Sequence, residues 1–241
     1  MMEKLSDEFY NLYPDIVENL KVIKSNIAEA CIKAGRDPKE VTLMGVTKTV
    51  QAERINAAID AGLELIGENR VQEYLDKRVR INLDRVKTHL IGHLQTNKVS
   101  KIVGKVDMIE SIDSVKVAKA VSDYSTKLGI VTDVLVQVNI GKEASKHGVM
   151  EEELEELLHT ISGFGGIKVR GLMAIPPIYD TEAEKRAVFS HMYKLFIDIS
   201  RKNIDNITMD ILSMGMSSDY REAILEGSTI VRIGSALFGS R

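Results

Sequence analysis

Lys48 closes an apolar run, Val41-Thr-Leu-Met-Gly-Val-Thr47, just ahead of a helix-forming stretch at 51–61. A continuous run rich in Val, Thr and Leu that ends in a polar residue before a helix has the character of a parallel-sheet strand. Ligands are met at the carboxyl ends of such strands. A lysine in a largely apolar surround there can be partly desolvated, and an amine that loses proton affinity becomes a nucleophile toward an aldehyde. The alternative is a solvated lysine at a strand end. A second cation, Arg232, sits inside the apolar run Thr229-Ile-Val-Arg-Ile233. Burying a guanidinium is costly unless acceptors surround it. Val231 and Ile233 must face the opposite side of a strand, so Arg232 points inward. It meets either an acidic neighbour or an acceptor on a ligand, such as a ring nitrogen.

Two small-residue turns could hold an anion. Leu212-Ser-Met-Gly-Met-Ser-Ser218 leads straight into a helix, and Arg232-Ile-Gly-Ser-Ala-Leu-Phe-Gly239 lets backbone approach a phosphate at Gly234 and Ser235. Ser213, Met214, Gly234 and Ser235 are the candidates there. The bland alternative for both is a tight turn with a helix cap. Other expected strand ends add Glu68, Asn69, His93, Glu110, Ser111, Asn139 and Met173 to the same rim.

The elements that must position these residues alternate. Strand-like runs are predicted at 41–47, 63–67, 88–92, 108–110, 131–140, 167–175, 209–214 and 229–233, with 108–110 the weakest. Helix-like stretches fall at 51–61, 70–82, 96–103, 114–128, 151–161, 182–203 and 218–226. Ahead of them Ile16, Leu20, Ile23, Ile27, Ala30 and Ala34 recur at helical spacing, with Pro14 in the first turn and Gly35 past the end. Leu5, Phe9 and Leu12 could add a turn and a half in the ill-defined segment 1–13. A β-α repeat of about 24 residues per unit predicts a closed α/β (β/α)8 TIM barrel, preceded by an extra helix at 14–35. No linker or shift of composition divides the 241 residues, so one domain is expected.

Bulk properties exclude several classes. A net charge of −3 gives no electrostatic reason to expect nucleic acid or a membrane surface as partner. No run approaches the ~18 apolar residues of a bilayer span, and the first residues lack a signal-peptide pattern. The single cysteine, Cys31, allows no internal disulfide and reads as a small core residue, so a cytoplasmic setting is expected. His89 and His93 are four apart but on a strand-to-loop segment, without the helical geometry of a zinc pair. His147, His159 and His191 are scattered and are expected to be structural or solvated; no metal site is assigned. There is no Gly-x-Gly-x-x-Gly, Gly-x-Ser-x-Gly or phosphate-loop motif.

Six strings occur in order: Gly45-Val-Thr-Lys48, Gly67-Glu-Asn-Arg-Val-Gln-Glu73, His89-Leu-Ile-Gly-His-Leu-Gln-Thr-Asn-Lys98, Val169-Arg-Gly-Leu-Met-Ala174, Leu212-Ser-Met-Gly-Met-Ser-Ser-Asp219 and Val231-Arg-Ile-Gly-Ser-Ala-Leu-Phe-Gly239. From about residue 16 onward the chain thereby resembles the pyridoxal phosphate homeostasis protein family, stand-alone relatives of the alanine racemase N-terminal barrel. The resemblance implies that Lys48 carries pyridoxal 5′-phosphate (PLP) as a Schiff base and that Arg232 faces its pyridine nitrogen. It places Ser213, Gly234 and Ser235 around the phosphate and Asn69 near the ring. Ser235 stands where relatives often have threonine.

An arginine beside the pyridine nitrogen disfavours its protonation, which makes the ring a poorer electron sink. The sequence ends about eight residues after the last predicted strand, so the racemases' second domain, with its tyrosine base, is not expected. Tyr74, Tyr179 and Tyr220 fall at no position matching that role. The expectation is therefore a PLP-binding carrier in cofactor homeostasis, a monomer serving apo PLP-dependent enzymes. A weak racemase or other PLP enzyme, and a cofactor-free aldolase, are the competing expectations.

Overall fold

The computed structural model describes residues 13–143 and 146–239; the turn expected from Leu5, Phe9 and Leu12 lies outside them. Eight strands are present among the described residues: β1 Thr42–Val46, β2 Leu65–Glu68, β3 Lys87–Leu90, β4 Met108–Ile112, β5 Thr132–Val138, β6 Ile167–Ala174, β7 Ile207–Met216 and β8 Ile230–Ile233. All pair in parallel in chain order, and β1 closes on β8 with Thr42 opposite Ile230 and Met44 opposite Arg232. The result is the closed (β/α)8 barrel that the alternation predicts.

The helices are α1 Pro14–Lys33, α2 Ala52–Asp60, α3 Val71–Lys77, α4 Val99–Ile102, α5 Val115–Leu128, α6 Glu151–Ser162, α7 Glu182–Ser200, α8 Tyr220–Leu225 and α9 Ser235–Phe238. The predicted helix at 70–82 is shorter than expected. After Lys77 it tightens into a 3-10 turn, Arg78–Arg80, that buries no residue. Without an apolar face to dock, nothing sustains further helical turns. The stretch at 96–103 likewise begins as a 3-10 turn, Thr96–Lys98.

Strand alternation sorts the apolar residues into two layers. Met44, Val46, Leu65, Ile91 and Ile230 form one inner cluster, and Met108, Leu135 and Met173 another. Leu43, Ile66, Val231 and Ile233 face outward, where α1 and α2 cover them. Leu90, Ile109, Val134, Leu172, Leu212 and Met214 face the remaining helices. The leading helix buries Ile16, Leu20, Ile23 and Ile27 and packs on α8 and α9. Asn19 Nδ2 donates to the Leu237 carbonyl at 3.1 Å and Asn26 Nδ2 to the Tyr220 hydroxyl at 3.0 Å. No helix among the described residues is long and apolar enough to cross a membrane.

Register slips shape the C-terminal half. One occurs between Val169 and Gly171, against β7. Gly171 has φ +151°, and a Cβ there would sit 1.8 Å from the Ile211 carbonyl oxygen. Neither the torsion nor the approach tolerates a side chain. Gly171→Ala is expected to lower Tm by on the order of 10 °C, measured by thermal unfolding, since a few kcal/mol correspond to that shift in a domain of this size.

Candidate functional site

The carboxyl ends of β1, β2, β7 and β8 enclose a cavity of about 660 Å³, within the ~300–1,000 Å³ typical of small-molecule sites. Val46, Ile91 and Ile175 supply its apolar wall. Lys48, Asn69, Arg232, Gly234 and Ser235 line it together with Met216, Ser217 and Ser218. A larger void of about 710 Å³ lies at the opposite barrel end, lined in part by His89, Asp133 and Arg170. There Arg170 is held by Asp133 at 2.9 Å and Asp210 at 3.0 Å. It is on the face where barrel residues serve stability.

Arg232 is 3% exposed, inside the barrel as its flanking apolar residues predict. Its Nη1 donates to Ser213 Oγ and its Nη2 to the Ala174 carbonyl, each at 2.7 Å. Two of its five N–H groups are thus taken. Burial pulls its proton affinity down, while the charges of Glu110 and Asp219 oppose that pull. Glu110 is itself fully buried, with His89 Nδ1 2.6 Å from its Oε1. Burial alone would push the Glu110 carboxyl up, but the His89 contact, reinforced by the Arg232 charge, holds it below the ordinary value. A buried polar column therefore runs from the cavity to the far end of the barrel: Arg232, Glu110, His89.

Lys48 is exposed, the solvated one of the two settings its strand-end position allows: β1 ends at Val46 and the buried Thr47 separates Lys48 from the strand. Its ε-amine makes no hydrogen bond or ion pair with any described residue. Asn69 Oδ1 is buried in the wall without a hydrogen-bond partner. Ser217 Oγ accepts from the Gly234 amide at 3.2 Å and the Ala236 amide at 3.5 Å, tying the β7 and β8 turns together.

Two expected site residues are placed elsewhere. Ser213 does not line the cavity; it lies one layer deeper and positions Arg232. Met214 faces the outer helices and is no part of the wall. The reason is a register slip in β7 between Ser213 and Met216, so that Met216 stands opposite Arg232. Gly215 makes this possible with φ +92°, its Cα so near α8 that a Cβ would sit 2.6 Å from Ala223 Cβ. Met216, Ser217 and Ser218 thus line the cavity where Ser213 and Met214 were expected to. Glu68, expected at the rim, is fully buried beside Lys77. The slip has no signal in residue type beyond Gly215 itself.

His147, expected to be structural or solvated, is exposed and makes a ring contact. His147 stacks on His93 at 3.8 Å, 8° from parallel, and His93 Nδ1 lies 3.0 Å from Asp113 Oδ2. Ligand atoms of these three residues fall within 4.8 Å of one another. Nearly parallel rings direct their lone pairs in separate planes, so as they stand both cannot meet one ion. The stack binds the β3 and β5 loops across the mouth.

Comparison with known proteins places this geometry. Residues 19–241 match the family described as alanine racemase, N-terminal domain. The pyridoxal phosphate homeostasis protein of Aquifex aeolicus is 42% identical over 224 residues, covering 93% of this chain and 97% of that protein. The chain belongs to the pyridoxal phosphate homeostasis protein family. A crystal structure from Bifidobacterium adolescentis superposes with TM-score 0.89 at 37% identity, covering 93% of this chain and 95% of the other. PipY of Synechococcus elongatus, solved with PLP bound, superposes with TM-score 0.81 at 32% identity, covering 93% and 100%.

The column's electrostatics are open to test in the protein alone. Because the folded Glu110 pKa is depressed, its stabilisation is present above about 4.5, its ordinary value, and is lost as pH falls through the folded value. Glu110→Gln is expected to be less stable than wild type at pH 7, and the gap in Tm is expected to narrow progressively below pH 4.5. A gap independent of pH would mean that Glu110 is not ionised in the barrel.

Proposed function

We propose that this protein binds pyridoxal 5′-phosphate in the cavity at the carboxyl end of the barrel and serves as an intracellular carrier of it. The observation that carries this reading is the convergence on one cavity of the unpartnered Lys48 amine, the buried Arg232 guanidinium and the joined turns at Ser217 and Ser235. The residues present suit the group. The orphaned Asn69 Oδ1 offers an acceptor in the wall. The amide of Ser235, at the first turn of α9, is among those that a helix start leaves without an internal acceptor. PLP supplies an aldehyde that a primary amine holds reversibly as a Schiff base. Lys48 provides that amine and Arg232 the cation that faces the ring nitrogen. Ser217, Ser218, Gly234 and Ser235 surround the phosphate, and Ser213 orients Arg232.

Carriage fits the site better than racemisation does. Abstraction and return of a proton on opposite faces of a substrate carbon need two bases. Lys48 could act on one face, but among the described residues no tyrosine lines the cavity. Tyr74 donates to the Lys105 carbonyl at 2.8 Å, and the Tyr220 hydroxyl is engaged by Asn26. An exposed lysine also leaves the captured cofactor within reach of acceptor enzymes.

Purified protein incubated with PLP is expected to absorb near ~420 nm, as the cofactor chemistry requires. Borohydride followed by peptide mapping is expected to fix the adduct on Lys48, and Lys48→Ala to stay colourless. Colourless wild type would overturn the proposal. Formation of D-amino acids from L-alanine well above the rate of free PLP would replace carriage by catalysis.

Arg232→Gln is expected to weaken PLP retention by at least ~10-fold in equilibrium dialysis, because a charged contact in a desolvated site is lost. Unchanged retention would remove Arg232 from the ligand.

A further inference from the structure

The two peptide groups that flank Lys48 are both gripped by one buried cluster on β2 and α3. Lys77 Nζ donates to the Thr47 carbonyl at 2.6 Å, and it lies 2.8 Å from Glu68 Oε1 and 2.9 Å from Glu73 Oε1. An ammonium has three N–H groups, and all three are matched here. Glu73 Oε1 also accepts from the Thr49 amide at 2.5 Å. Glu68 Oε1 accepts from Thr47 Oγ1 at 2.5 Å. One cluster therefore fixes the carbonyl before the Lys48 Cα and the amide after it.

Two features say that this is more than packing. A buried Lys–Glu pair adds little net stability over apolar residues of similar volume, because desolvation offsets the attraction. Lys77 is 5% exposed and Glu68 fully buried, so the cluster pays the full desolvation term at this spot. Further, Thr49 has φ +60°. A β-branched residue there is strained, and such torsions persist only where the surroundings enforce them. The Thr49 amide bond to Glu73 holds the torsion together with the turn bond from the Val50 amide to the Thr47 carbonyl at 3.0 Å and the Thr49 hydroxyl bond to the Lys48 carbonyl at 2.7 Å. Lys48, being exposed, has no packing of its own to set its direction.

We infer that Lys77, acting with Glu68 and Glu73, is a positioning residue for the Lys48 amine, holding its backbone so that the side chain is presented to an aldehyde in the cavity. This rests on the PLP-binding reading and specifies how that site is kept ready. None of the three needs to touch the ligand. Their effect is confined to the covalent step, in which the amine adds to the aldehyde carbon and water leaves. Binding of the phosphate and ring is left to Arg232 and the β7 and β8 turns.

The test compares pyridoxal 5′-phosphate with pyridoxine 5′-phosphate, in which an alcohol replaces the aldehyde, on wild type, Lys77→Met and Glu73→Ala. In wild type, borohydride mapping of the adduct to Lys48 establishes the underlying reading; its absence overturns that reading and this one together. Given the adduct, Lys77→Met is expected to slow the rise near ~420 nm by at least ~10-fold, since small misplacement of a reacting group has large rate effects. Its affinity for pyridoxine 5′-phosphate is expected to change less than about twofold. Equal loss for both ligands would reduce the cluster to ordinary packing, and an unchanged rate would remove its role. Should Lys77→Met fail to fold, Glu73→Ala decides by the same comparison. Glu73 is half-buried, and its loss frees the Thr49 amide without burying a new charge.

Discussion

A guanidinium keeps its proton inside a protein, so placing Arg232 in the barrel interior obliges the rest of the barrel to accommodate a charge. The accommodation is visible on every side. Ser213 and the Ala174 carbonyl accept its hydrogen bonds, and Glu110 and Asp219 supply opposing charge. Glu110 in turn needs His89, which reaches the other end of the barrel. The upper interior of an otherwise apolar barrel is thus polar because one strand carries a cation at its carboxyl end. The register slip in β7 follows the same demand, putting Ser213 beneath the guanidinium and Met216 opposite it.

Around that fixed cation the mouth divides its work. The β7 and β8 turns are joined through Ser217 and present backbone. The β1 end presents an amine braced from α3, and the β3 and β5 loops are stacked through His93 and His147. Rigid turns and an exposed, uncommitted lysine are what a reversible holder of an aldehyde requires, since affinity comes from the anchored part and release from the accessible one.

Much of this was legible in residue order. Apolar alternation disclosed eight strands, and the flanking Val231 and Ile233 correctly assigned Arg232 to the interior. Lys48, Asn69, Gly234 and Ser235 meet as their strand-end positions suggest. Ser213 and Met214 could not both face one cavity in a regular strand; adjacent residues point to opposite sides. Which of them yields depends on a bulge that long-range pairing decides. The exposure of Lys48 depended on where β1 stops, and strand ends are set by neighbouring strands. The Lys77 cluster offered a local hint, Glu73 and Lys77 at i,i+4. Its partners Thr47 and Glu68 come from other elements, so only the fold reveals what it holds.

The leading helix has a consequence for how the chain is made. Its apolar face is completed by α8 and α9, with Asn19 bonded to Leu237 across 218 positions of sequence. Contacts of such separation form late, because the intervening chain must first be ordered. During synthesis α1 leaves the ribosome long before α8 and α9, so Leu20, Ile23 and Ile27 remain without their final cover until those helices have emerged. The first of the helices is therefore among the last elements to settle, and it settles against the two helices that follow the β7 and β8 turns.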